Sequence, residues 1–210
     1  MPLFHRGIYR CAAFAILLVS ASLGHEARAA EGASAFIVQL GAETTATMTN
    51  RAISSADRVQ RFGVIVGRDF DVPEIAQFVL GRYWETATAD ERQDFTNVFQ
   101  AYMIRVYSDN FADFSSDTFR VIDQRALGDA TVVVRTSITS AATGQPMILE
   151  WLVSKKADSF KVYDLNVDGV SLVAAQQEEF ASVMQRTGGQ VATITRLMRS
   201  KLDQMETAGK

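Results

Sequence analysis

Two carboxylates are the groups in this chain whose positions could support acid–base chemistry. Asp164 interrupts the alternating strand pattern of Phe160–Val167, and Glu150 lies in the strand pattern before it. If both side chains faced one cavity, one could donate and the other accept a proton on a small apolar substrate. Such residues more often lie on the wet face of a sheet or cap a turn. An enzyme using this pair is therefore an alternative hypothesis, and no catalytic residue is assigned.

The N-terminal residues have the pattern of an export signal. Arg6 and Arg10 lead into a short apolar run over residues 11–23, and Ala27-Arg28-Ala29 has the small residues that signal peptidase recognises. The run is shorter than the roughly 20 residues that cross a bilayer. We therefore expect residues 1–29 to be a signal peptide cleaved after Ala29, and residues 30–210 to form a single domain.

Cleavage after Ala29 would remove whole classes of chemistry. Cys11 is the only cysteine and His5 and His25 are the only histidines, so the mature chain would contain neither residue type. Disulfides, thiolate nucleophiles, Ser-His-Asp triads and Cys/His metal sites are then excluded. The net charge would change from −3 to −5, because three basic residues and one acidic residue are lost. We expect no metal, no cofactor and no nucleic-acid partner.

Apolar residues at helical spacing predict helices before and after a central region of strands. A marginal helix is expected over residues 33–48, a second after Ser54-Ser55, and a short third with Asp71 as its N-cap. Gly63 and Gly67 in the second helix favour close packing. Thr88 to Glu91 has the spacing of a capping box. Gly188-Gly189 separates two further helices near the C-terminus.

The helix after the capping box carries an aromatic stripe. Its members are Phe95, Val98, Phe99, Tyr102, Met103, Val106, Tyr107, Phe111 and Phe114. Such a stripe is usually core, although some of its rings could line a cavity.

The central region alternates apolar and polar residues in four runs joined by short connections, over residues 119–122, 130–139, 147–154 and 160–167. This pattern predicts an antiparallel meander of about four strands in an α+β fold. Met147, Leu149, Trp151 and Val153 would share one strongly apolar face. Asp168-Gly169 ends the last strand, and a helical pattern begins at Val170. The helices must cover the apolar face, either around a cavity or over a filled core.

The segments FDVPEIAQFVLGRYWETATADERQDFTNVFQAYMIRVY at 70–107 and FKVYDLNVDGVSLVAAQQEEF at 160–180 resemble the MlaC and toluene-tolerance family of periplasmic phospholipid-binding proteins. That family includes the hopanoid-associated HpnM proteins. The resemblance runs from about residue 33 to residue 202. Phe160 departs from it, since many relatives have tryptophan there.

The resemblance implies a twisted antiparallel sheet wrapped by helices, with acyl chains between the two layers. It implies a periplasmic carrier, not an enzyme, that transfers phospholipid between an outer-membrane lipoprotein–porin complex and the MCE-domain subunit of an inner-membrane ABC transporter. Such transport maintains the lipid asymmetry of the outer membrane. A hopanoid or another apolar lipid is the alternative cargo, and we expect a monomer.

Lipid binding is predicted for side chains of the aromatic stripe and of the facing sheet. The predicted pocket-lining residues are Phe95, Phe99, Met103, Tyr107, Leu149, Trp151, Val153, Val162 and Val170. A strand register shifted by one residue would turn every sheet member outward. A purely structural or adaptor protein would have a filled core instead.

Overall fold

The computed structural model describes residues 12–108, 118–139, 144–157 and 159–208, with side chains described from residue 30 onward. The helices in these ranges are α1 (Ala12–Met48), α2 (Ser55–Asp69), α3 (Val72–Leu80), α4 (Arg82–Thr86), α5 (Ala89–Ser108), α6 (Leu172–Arg186) and α7 (Val191–Ala208). The strands are β1 (Arg120–Ala126), β2 (Thr131–Thr139), β3 (Pro146–Lys155), β4 (Phe160–Val167) and β5 (Val170–Ser171). The predicted α+β class is confirmed. Phe111 and Phe114, which belong to the predicted aromatic stripe, lie outside the described residues.

None of the helices within these ranges is both long and apolar enough to cross a membrane.

Two predicted helix starts are confirmed by hydrogen bonds. The Asp71 carboxylate accepts from the backbone N–H of Glu74 at 3.3 Å, at the start of α3. Before α5, the Thr88 hydroxyl accepts from the Glu91 N–H at 3.2 Å, and the Glu91 carboxylate accepts from the Thr88 N–H at 2.9 Å. This reciprocal pair is a capping box, which satisfies N–H groups that the helix itself leaves without acceptors.

The sheet is an antiparallel meander in which the strands pair in chain order, as predicted, with β5 added at one edge. Asp168 and Gly169 have φ values of 49° and 87°. Two successive positive φ values produce a tight hairpin whose twist matches that of the flanking strands. The chain therefore turns straight back onto β4, and the helix expected from Val170 begins at Leu172 instead.

A first cluster of apolar side chains lies among α2, α3, α5, α6 and α7. At its centre the rings of Phe95 and Phe99 stack with centroids 5.7 Å apart, and Phe180 meets both edge-on at 6.1 Å. These geometries are the ones that aromatic pairs prefer. The cluster therefore joins the helices to one another.

A second cluster lies between α1 and one face of the sheet, and it includes the fully buried side chains of Ile37 and Val153. Helix α2 contributes to both clusters, because Ile65 packs in the second while Phe62 and Val66 pack in the first. Helix α2 thus joins the two packed regions, as does α1, which contributes Met48 to the first cluster and Ile37 to the second.

Charged side chains hold α1 against α2. Arg68 of α2 donates to Glu43 of α1 and to Asp69, with a shortest N–O distance of 2.6 Å in each pair. The hydrogen bonds to Asp69 and then to Glu43 raise the pKa of Arg68 above its ordinary value. Lys161 of β4 also donates to the Arg68 backbone carbonyl. The end of α2 is therefore fixed to both α1 and the sheet.

A second ion pair fixes the start of α3 to the connection between β3 and β4. The Lys156 ammonium lies 2.8 Å from the Asp71 carboxylate and 3.2 Å from that of Glu74. Burial opposes ionisation of Asp71, but the hydrogen bonds from Lys156 and Glu74 outweigh it and hold the pKa of Asp71 below its ordinary value. The Asp71 N–H also donates to the Val162 carbonyl at 2.8 Å.

Replacing Asp71 tests this connection. Asp71→Ala removes the cap and the ion pair, so we expect the free energy of unfolding to fall by about 1–2 kcal/mol at neutral pH. Asp71→Asn keeps a capping side chain and loses only the charge, so its cost should be smaller. Because the folded pKa is lowered, the charge stabilises the fold above the ordinary carboxyl pKa of about 4 and stops doing so as the pH falls through the folded value. Urea unfolding at neutral and acid pH measures this, and a wild-type advantage over Asp71→Asn that persists in acid would contradict it.

Candidate functional site: an apolar cavity

A cavity of about 430 Å³ lies between the two apolar clusters. Its helical wall is formed by Leu40, Gly41, Thr44, Thr45, Phe62, Val66, Val72, Ile75, Phe99, Gln100, Met103, Ile104, Tyr107, Leu172 and Val173. The remaining wall is formed by Phe70, Phe119, Ile138, Met147, Leu149, Trp151, Val162, Asp164, Leu165 and Val167. Almost every lining residue is apolar. The volume falls within the roughly 300–1,000 Å³ typical of small-molecule pockets.

Three of the four predicted residues of the aromatic stripe reach this cavity. Phe99, Met103 and Tyr107 lie on its wall at steps of four residues along α5. Phe95 does not, because it is fully buried between Phe99 and Phe180 in the first cluster. The stripe continues along the helix, but the cavity does not extend to Phe95.

The predicted sheet residues divide in a similar way. Leu149, Trp151 and Val162 line the cavity. Val153 is fully buried in the cluster under α1 instead. Val170 is 59% exposed, because the Asp168-Gly169 turn places it in β5 at the sheet edge rather than in the first turn of a helix. Val153 and Val170 are thus not cavity-lining residues in this structure, and neither is Phe95.

The wall also contains residues that the sequence analysis did not select. They come from α1, α2, α3 and the start of α6, for example Leu40, Phe62 and Ile75. The apolar faces of the first three helices were visible in the sequence. Nothing in that pattern distinguishes a side chain facing a cavity from one packed in a core, so only the assembled fold identifies these residues.

One end of the cavity is organised around Trp151. Its indole N–H donates to the Thr136 hydroxyl at 2.9 Å, and this satisfies a buried polar group. Phe119 meets the indole edge-on, with centroids 6.5 Å apart, and lies against Gly41 of α1. A Cβ atom at Gly41 would come within 2.9 Å of the Phe119 ring. The glycine therefore lets α1 approach this ring closely.

Asp164 is the one charged residue among the described residues of the wall, and donors surround it. Its carboxylate accepts from the N–H groups of Leu165 at 2.8 Å and Val173 at 3.2 Å, and from the Ser171 hydroxyl at 2.6 Å. The Ser171 hydroxyl in turn accepts from the Ala174 N–H at 2.9 Å as the N-cap of α6. Asp164 therefore links β4 to the positive end of α6.

Glu150 lies elsewhere and does not line the cavity. In the sheet register it is opposite Arg135 of β2 on one side and Asn166 of β4 on the other, and the Asn166 amide donates to its carboxylate at 3.4 Å. The acid–base pair considered from the sequence is therefore not assembled around the cavity. The described residues also contain no cluster of His, Cys, Asp and Glu that could hold a metal ion.

Burial raises the pKa of Tyr107, the tyrosine on the cavity wall. Desolvation, followed by the neighbouring Tyr102 and Glu179, raises the pKa of Tyr107 above its ordinary value. Its hydroxyl therefore stays neutral at physiological pH. The wall consequently presents no net charge apart from the hydrogen-bonded Asp164, and the arrangement can enclose an apolar molecule.

Removing the Asp164 carboxylate tests its structural role. Asp164→Ala leaves the Val173 N–H and the Ser171 hydroxyl without their acceptor, so we expect a loss of about 1–3 kcal/mol in the free energy of unfolding. Amide exchange at the start of α6 should also become faster. Glu150→Ala is the matched control on the neighbouring strand, and its cost should stay below about 1 kcal/mol. Equal costs in urea unfolding, with α6 exchange unchanged, would show that Asp164 does not anchor α6.

Comparisons with known proteins agree with the resemblance noted in the sequence. The model of the family described as MlaC protein matches residues 39–199, which is well over half of the chain. The intermembrane phospholipid transport system binding protein MlaC of Haemophilus influenzae is 25% identical over 113 residues, covering 52% of this chain and 53% of that protein. The chain thus spans about half the length of this curated relative.

A solved structure shows the same fold. It is that of the phospholipid-binding protein from Ralstonia solanacearum in complex with a phospholipid, which superposes with a TM-score of 0.70 over 82% of this chain and 98% of that chain, at 24% identity. The predicted fold is confirmed by this likeness, and the predicted family by the match over residues 39–199. This chain belongs to the MlaC family.

Proposed function

We propose that this chain is a periplasmic lipid-transfer protein that binds phospholipid and carries it between membranes. The apolar cavity is the observation that carries this proposal. Its wall offers acyl chains an environment comparable to a bilayer interior. The names of the Haemophilus and Ralstonia proteins, which refer to phospholipid, support the same cargo.

The hydrophobic effect explains why such a carrier is needed. Two acyl chains with roughly thirty methylenes would cost on the order of 20 kcal/mol to expose to water, at about 0.8 kcal/mol per methylene. A cavity of matching apolarity removes most of that cost. Transfer between membrane and protein is then close to neutral, so the same protein can load and unload.

Family membership supports a place in a transport system. We propose that the chain is a monomer that exchanges lipid with an outer-membrane lipoprotein–porin complex and with the MCE-domain subunit of an inner-membrane ABC transporter. This exchange would maintain outer-membrane lipid asymmetry. Residues 1–29 would direct export to the periplasm and be removed there.

The position of the carboxylates favours a carrier over the enzyme considered from the sequence. Asp164 is committed to three donors, and Glu150 lies outside the cavity. An adaptor with a filled core is also less well supported, because the space between the two apolar clusters is open.

Mass spectrometry of the purified protein tests the proposal. After export to the periplasm and purification without detergent, native spectra and organic extracts should contain phospholipid in stoichiometric amount. A hopanoid in the extract would identify the alternative cargo. A wild-type protein that is empty and takes no lipid from vesicles would overturn the proposal and favour the adaptor or the enzyme.

A pair of variants in β3 connects lipid binding to the cavity. Leu149→Trp places a large ring in the cavity, so bound lipid should fall about tenfold or more, since one overpacked group costs roughly 1–3 kcal/mol. Ile148→Trp adds the same ring to the neighbouring half-buried residue on the opposite face and should retain lipid. Bound lipid per protein, measured by mass spectrometry of folded samples, gives the comparison. Equal retention by the two variants would place the lipid outside this cavity.

A further inference from the structure

The cavity wall includes a few polar side chains, and they differ in whether the protein satisfies them. Asp164 accepts three hydrogen bonds, as described above. The Thr45 hydroxyl donates to the Gly41 carbonyl at 2.8 Å. Among the described residues, the Thr44 hydroxyl and the Gln100 amide have no hydrogen-bond partner in the protein, and both residues line the cavity. A ligand in the cavity can supply a partner to polar groups that the protein leaves without one.

Thr44 lines the cavity from α1. Thr44 is only 6% exposed. Its neighbours in sequence, Thr45 and Thr49, donate to the carbonyls four residues earlier, whereas Thr44 makes no such bond. Within the described part of the chain, Asn166 Oδ1 is the one fully enclosed side-chain polar atom that has no partner. The Thr44 hydroxyl therefore keeps accessible surface, and Thr44 is one of the residues that line the cavity.

Gln100 reaches the same region from α5. Its Nε2 atom lies 3.2 Å from the point where a Cβ atom of Gly67 would be. The missing side chain at Gly67 thus leaves room for the amide beside α2. Gln100 is half-buried, and it lines the cavity between Phe99 and Met103.

Both polar groups lie beside the last turns of α2. Glu43, the residue before Thr44, is paired with Arg68, and the Gln100 amide touches Gly67. Val66, which lies in the same part of α2, also lines the cavity. Helix α2 packs against both α1, which carries Thr44, and α5, which carries Gln100.

We infer that Thr44 and Gln100 form a polar subsite that donates hydrogen bonds to the ester carbonyls of an acyl lipid. This inference rests on the proposed function and specifies its cargo as ester-linked. A hydroxyl and an amide N–H are donors, and an ester carbonyl is an acceptor. A purely hydrocarbon ligand would cover both donors without accepting from them, which is unfavourable, and a diether lipid lacks the carbonyl oxygens to which the subsite donates. The subsite therefore selects diacyl lipids over hydrocarbon cargo such as an unfunctionalised hopanoid.

Competition between two lipids that differ only in this linkage tests the subsite. The probes are dioleoyl phosphatidylethanolamine and its diether analogue with the same chain length and unsaturation, present in equal amounts in vesicles. Delipidated protein is incubated with the vesicles and repurified, and the bound lipids are quantified by mass spectrometry. We expect the wild-type protein to be enriched in the diester by roughly 3- to 10-fold, the effect of about one hydrogen bond.

Four near-isosteric variants test whether Thr44 and Gln100 cause the preference for the diester lipid. Gln100→Met and Thr44→Val each remove a donor and should lower the enrichment, and the double variant should bring the ratio close to one. Thr49→Val is the matched control, because that hydroxyl is already bonded to the Thr45 carbonyl and Thr49 does not line the cavity. This control should keep the wild-type ratio.

The outcomes separate this inference from the proposed function. Uptake of both lipids by the wild-type protein at a ratio near one overturns the subsite and leaves the carrier function standing. Uptake of neither lipid overturns both. If the double variant keeps the wild-type ratio, other groups in the protein distinguish the ester from the ether linkage. That result overturns the assignment to Thr44 and Gln100. The ratio measured on the wild-type protein tests the subsite by itself. The test therefore does not depend on whether the variants fold.

Discussion

An apolar cavity that stays open inside a small domain is the constraint on which the rest of this structure depends. Its lining side chains lack partner atoms on one side and lose the contacts that a packed core provides. At about 24 cal/mol per Å³, a cavity of 430 Å³ would carry up to about 10 kcal/mol, which is comparable to the net stability of a whole domain. The clusters on either side must offset this, and each is packed around fully buried side chains.

Polar connections sit at the ends of the helices and leave the cavity wall apolar. Arg68 joins the end of α2 to α1, Lys156 joins the start of α3 to the sheet, and Asp164 joins the start of α6 to β4. The first two connections are ion pairs between side chains, and the third uses an N–H group that the start of a helix leaves without an acceptor. Among the described residues of the wall, Asp164 is the one that carries a charge.

Apolar and polar side chains alternate along the strands, so they lie on opposite faces of the sheet. On β3, Leu149 and Trp151 face the cavity, while Glu150 between them lies in a row of polar residues running across the strands from Asp123 through Arg135 to Asn166. One face is therefore strongly apolar and the other mixed, as the sequence pattern predicted.

The order and type of the main elements were determined by the sequence itself, because capping residues, turn residues and the period of apolar side chains act over a few neighbours. Asp71, the Thr88–Glu91 box and the four long strands follow from such local signals. Only the tertiary structure decided which apolar residues line the cavity. Phe95 and Phe99 belong to one stripe, are equally hydrophobic and both contact Phe180, yet Phe99 lines the cavity and Phe95 does not. Burial in a core and exposure to a dry cavity demand the same residue types, so the distinction depends on how distant helices meet, which no local pattern encodes.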